Sequence, residues 1–131
     1  MTLITSLISF GLLTLAMVGF EIFFTYATQG FAFGFSSNRK PVDLSAFATR
    51  MKRALQNQTE AASYGVPIIA AAAFAGLTGG VETAAMLFVA GRTAFVLLYY
   101  TGITFVRVPA FLVSTLSIAY IAYVLFTTAM V

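Results

Sequence analysis

The sequence predicts an all-α membrane protein, a bundle of four transmembrane helices, and three observations point there. The 131 residues are 60% hydrophobic and only 8% charged, with a mean hydropathy of +0.97. A soluble domain carries about 25% charged residues to cover its surface. Four apolar stretches, about 3–27, 46–77, 81–105 and 108–131, are each long enough to cross a bilayer, because about 20 mostly apolar residues span the hydrocarbon at ~1.5 Å rise per residue. Lipid offers no water to backbone groups, so a chain crosses as helices or as a closed barrel. No ten-residue segments alternate as barrel strands do, and helices remain. The chain reads as one domain, 1–131, without a repeat, a low-complexity tail or a linker.

The first stretch lacks a positively charged beginning and outruns the apolar core of a cleaved signal, so it is expected to be a retained helix. Glu21 lies near its end. The next segment, 28–45, is expected to be the longest loop, with Gly30, Gly34, Ser36, Ser37, Asn38 and Pro41 as turn formers. Phe31, Phe33 and Phe35 alternate through it as an interfacial aromatic belt, or as the floor of an apolar cleft. Asp43 or Ser45 is expected to cap the second helix. That helix opens with Arg50, Lys52 and Arg53, with Lys52 facing headgroups, and later carries the smooth run Ala70–Ala73. Small residues let membrane helices approach closely. Gly76, Gly79 and Gly80 should end it in a tight turn. Arg107 marks the short connection between the third and fourth helices.

Charge sets the orientation. Five of the seven positive residues fall within 28–53, at Arg39, Lys40, Arg50, Lys52 and Arg53, and the turn at 78–82 has none. Positive loops stay in the cytoplasm. Both termini are therefore expected on the non-cytoplasmic side of the membrane, with the polar site toward the cytoplasm.

Cysteine and histidine are absent. That removes disulfides, thiolate ligands, the commonest metal ligand and the commonest general base, so no metal site is expected. Chemistry must come from Arg, Tyr, Ser/Thr, Glu or a bound reagent. The net charge of +3 does not point to nucleic acid, since no basic tract lies outside membrane-flanking positions.

The polar residues fall into two stripes. Arg53, Asn57, Glu60 and Tyr64 lie within roughly 60° of one another on a helix, with Arg50 about 60° to one side. Glu60 is ten residues past Arg50, or ~15 Å into the membrane. A charge there costs at least ~2.5–3.5 kcal/mol unless it faces protein, a cavity or a ligand. On the third helix Arg92 and Tyr99 share a face, with Phe95 and Val96 between them. Arg92 lies ~22 Å up that helix from Arg107, near Glu60 in depth, so a Glu60–Arg92 ion pair is expected. Arg50, Arg53, Arg92 and Arg107 outnumber Glu60 and Glu21. The surplus calls for an anionic guest, and arginine's planar fork suits carboxylates and phosphates. The blander reading has Arg50 and Arg107 touching lipid phosphates.

The string Arg50-x-x-Arg53-Ala54-x-x-Asn57-x-x-Glu60, then Gly91-Arg92 and Tyr99-x-x-Gly102-x-x-x-x-Arg107, resembles the MAPEG superfamily, the membrane-associated proteins of eicosanoid and glutathione metabolism, a bacterial-type member among them. The resemblance covers nearly the whole chain. It implies a homotrimer of four-helix bundles in contact with membrane lipids, holding glutathione as co-substrate between subunits. It implies Arg53, Asn57 and Glu60 as glutathione ligands on the second helix, with Arg50 beside them. Arg92 and Tyr99 would contribute from the third helix and Arg39 from the first loop. Arg107 resembles the arginine that activates the thiol. The implied activity is a glutathione-dependent transferase or peroxidase acting on apolar electrophiles or lipid hydroperoxides. Two other readings stand beside it: a non-catalytic lipid-binding or scaffolding relative, and a small proton-coupled exporter using Glu21, since intramembrane carboxylates serve proton relays.

Overall fold

In a computed structural model, residues 2–35, 46–103 and 106–129 are described. They form four helices, α1 (Leu3–Phe35), α2 (Ala46–Phe74), α3 (Gly80–Thr101) and α4 (Arg107–Ala129). The all-α four-helix expectation holds. Three helices are long and apolar enough to cross a membrane, over Leu3–Ala27, Gly80–Thr101 and Arg107–Thr128. The more polar α2 is not among them, because Arg50, Lys52, Arg53 and Glu60 occupy its first half.

The helix ends differ from expectation where glycine decides. α1 continues to Phe35, through Gly30 and Gly34, because one glycine in a helix costs only about 1 kcal/mol relative to alanine. α2 stops at Phe74 rather than residue 77. Gly76 takes φ 72°, and the Leu77 and Gly76 amides donate back to the Ala72 and Ala73 carbonyls, both at 3.1 Å. α3 stops at Thr101 rather than residue 105 by the same device. Gly102 takes φ 80°, while Ile103 and Gly102 donate to Leu98 and Tyr99 at 3.1 and 3.2 Å. Such left-handed caps satisfy the last carbonyls of a helix, and glycine adopts them without a Cβ penalty. α3 opens at Gly79, whose amide donates to the Glu82 carboxylate at 3.2 Å. The expected caps Asp43 and Ser45 lie outside the described residues.

α3 is the hub. It touches all three other helices and packs most extensively on α4. Gly91 allows that approach, because a Cβ there would sit 3.0 Å from the Ala110 oxygen and from the Ser114 nitrogen. α2 presents Met51, Ala54, Gln58, Ala61, Gly65, Ile69 and Ala72 to the interior, all buried. Their spacing of three and four residues is one helical face. Small side chains dominate it, and Gly65 leaves room for the Phe88 ring, which itself stacks on Phe10 with centroids 5.3 Å apart. Of the Ala70–Ala73 run, Ala72 is the residue turned fully inward.

Candidate functional site

The polar stripe of α2 turns away from its own bundle. Arg53, Glu60 and Tyr64 are exposed and Asn57 is half-buried. Each precedes by one residue a buried position, Ala54, Gln58, Ala61 or Gly65, and one residue is about 100° of rotation. The stripe therefore flanks the packed face. Among the described residues the Glu60 carboxylate receives one long contact, from Gln56 Nε2 at 3.4 Å.

The expected Glu60–Arg92 ion pair does not form. Arg92 is completely buried, and its Nε donates to Gln58 Oε1 at 3.2 Å. Gln58 in turn donates through Nε2 to Thr14 Oγ1 at 2.9 Å, and Thr14 donates to the Phe10 carbonyl at 3.0 Å. The physical reason is rotational. Gln58 and Glu60 are two residues apart, about 200° on a helix, so turning one inward turns the other outward. Arg92 also lies over the Phe95 ring, with Cζ 4.8 Å from its centroid. Its Nη1 and Nη2 have no hydrogen-bond partner among the described residues, and the Tyr64 hydroxyl lies within electrostatic range.

A second cluster gathers at the C-terminal end of α3. The Arg107 guanidinium lies over the Tyr99 ring, 4.6 Å from Cζ to centroid. One turn along, the Arg50 guanidinium lies against Gly102, with Cζ 3.4 Å from where a Cβ would stand. Arg50 also leans toward the Phe47 ring at 5.9 Å. Cations near a helix C-terminus are favoured by its exposed carbonyls. Arg107 and Arg50 thus both meet the last turn of α3, at Tyr99 and at Gly102, while Arg53, Asn57 and Glu60 continue from Arg50 along α2. Arg92 is set apart in the core, and Arg39 lies outside the described residues. Gln58, which bridges three helices, is the polar residue the sequence reading missed. Its signal was available, as the single polar member of the buried three-and-four spacing on α2. No group of residues able to hold a metal ion occurs among the described residues.

A family model described as the MAPEG family matches residues 2–127. The chain belongs to the MAPEG family. Membership places it among integral membrane proteins with kinship to glutathione-related transferases and peroxidases. No curated protein and no solved structure matches the chain.

Proposed function

We propose that this MAPEG protein is a glutathione-dependent membrane transferase or peroxidase, assembled as a homotrimer with its site between neighbouring copies on the cytoplasmic side. The observation that carries the proposal is the open stripe of α2, which forms no ion pair among the described residues. Arg53, Asn57 and Glu60 enter the membrane on a face their own bundle leaves open, and hydrocarbon is a costly neighbour for charge. A second copy and an anionic guest remove that cost together.

The side chains fit glutathione by charge. Arg53 and Arg50 can each grip a carboxylate through the guanidinium fork, and Glu60 can hold the ammonium. Asn57 offers an amide to the peptide backbone. Glutathione supplies the nucleophile, a thiol of pKa ~8.5 when unperturbed, which suits a chain without cysteine or histidine. Arg107 cannot accept a proton. It acts as a fixed cation that favours the thiolate, with the Tyr99 ring beneath it holding its plane. Lipid-facing apolar surface beside the site would admit an apolar electrophile or a lipid hydroperoxide.

Titration of glutathione against the detergent-solubilised protein, followed by thiolate absorbance, tests this. The expected result is a saturable thiolate signal. Arg107→Ala should retain binding while the thiolate-to-thiol ratio at a given pH falls by about tenfold for each unit by which the thiol pKa rises. Arg53→Ala should lose both. Absence of a saturable signal in the unmodified protein would sink the proposal.

A further inference from the structure

Glu21 belongs to neither polar cluster. It is half-buried on α1 and, with Val18, Ile22, Thr25 and Tyr26, lines a groove of about 270 Å³. These five share one helical face, by their spacing of three and four residues. Among the described residues no cation pairs with the Glu21 carboxylate. Arg92 is bonded to Gln58, Arg107 lies over Tyr99 and Arg50 over Phe47, while Lys52 and Arg53 are exposed on α2. Close by stands Tyr100, whose hydroxyl is buried without a hydrogen-bond partner and lies within electrostatic range of Glu21. Its ring packs in a cluster with Phe20 and Phe47, at centroid distances of 5.8 and 6.0 Å. The groove thus sets an unpaired carboxylate beside the apolar side chains of Val18 and Ile22.

We propose that this groove binds a small amphipathic organic cation, an ammonium or quaternary nitrogen on an apolar body, with Glu21 as its counter-charge. An unpaired carboxylate inside a membrane is costly, and a cation offsets that cost. Val18 and Ile22 offer the apolar body its contact surface. The volume lies near the lower end of ligand sites, about 300–1,000 Å³, which suits a small molecule better than a whole lipid. Depth favours a free cation over a phospholipid amine. Glu21 is six residues inside the end of the apolar span at Ala27, or ~9 Å along the helix. A phospholipid carries its ammonium outside its phosphate, at the water side. The inference is independent of glutathione, because Glu21 lies outside the proposed thiol site.

Ethidium is a suitable probe, read by fluorescence anisotropy with the full chain in uncharged maltoside micelles. The expected result is saturable binding, weakened about tenfold or more in Glu21→Gln, displaced by benzyltrimethylammonium and not by phosphatidylethanolamine. Val18→Trp, which fills the groove and leaves Glu21 in place, should weaken it similarly and guards against a misfolded Glu21 variant. Equal affinity in the unmodified protein and both variants, or no saturable binding at all, overturns the proposal. Displacement by phosphatidylethanolamine overturns it in favour of a lipid headgroup. Loss of assembly in Glu21→Arg that Arg53→Glu restores overturns it in favour of a contact between copies.

Discussion

Arg92 is a guanidinium with no exposed surface, and among the described residues Gln58 is the one side chain it hydrogen-bonds. A hydrogen bond to a charged group contributes about 1.5–3 kcal/mol, and losing it leaves the charge unsatisfied. Gln58→Leu should therefore destabilise the protein by about that amount, read as a lowered unfolding midpoint in detergent. The double variant Gln58→Leu/Arg92→Met should recover much of the loss, because replacing both buried polar partners with apolar ones is often neutral. Glu60→Gln, by contrast, should leave the stability of the single bundle within about 0.5 kcal/mol, as exposed substitutions usually do. At this scale the sequence told which residues were polar and embedded, and that Arg92 needed company. It did not tell which partner, because depth along a helix can be counted but rotation must be anchored. Glu60 and Gln58 lie at nearly the same height, and the small residues Ala54, Ala61 and Gly65 decide which of them faces α3.

The same small residues govern the helices. Gly91 meets backbone atoms of α4 at 3.0 Å from its notional Cβ, so Gly91→Ala requires α3 and α4 to separate. Overpacking of this kind costs typically about 1–3 kcal/mol, and a fall in thermal stability in detergent would register it. At Gly65 an added Cβ would meet the Phe88 ring, at 2.7 Å from Cζ. That ring is fully buried and stacked on Phe10, so Gly65→Ala should also lower thermal stability, by about 1–3 kcal/mol. Unchanged stability in both variants would show that these helices do not pack so closely. The number and approximate places of the helices were legible from apolar length alone. Their ends were legible only in part, because Gly30 and Gly34 look like Gly76 and Gly102 in composition. Only the latter two adopt positive φ.

For the whole molecule, membrane character follows from the scarcity of charge, and membership in the MAPEG family agrees with it. The open α2 stripe implies, in the function proposed above, that a lone copy carries an incomplete site. Native mass spectrometry should then show three copies released together from micelles. Dilution into detergent harsh enough to give monomers should abolish glutathione binding while the helical circular-dichroism signal persists. A monomer that still binds with unchanged affinity would count against a shared site. This level was the least legible from residues alone, since a stripe that must avoid hydrocarbon does not state how many neighbours cover it.

The Thr14–Gln58–Arg92 chain gives biosynthesis a direction. During synthesis α1 and α2 emerge before α3, so the acceptor on Gln58 exists before the arginine that needs it. Threaded alone, the third segment would carry its arginine into the bilayer at a cost of ~2.5–3.5 kcal/mol. Entering beside an already seated hairpin, it finds a carbonyl oxygen waiting. Placement of the first half thereby eases entry of the second, and a chain whose opening hairpin has failed would lose that help.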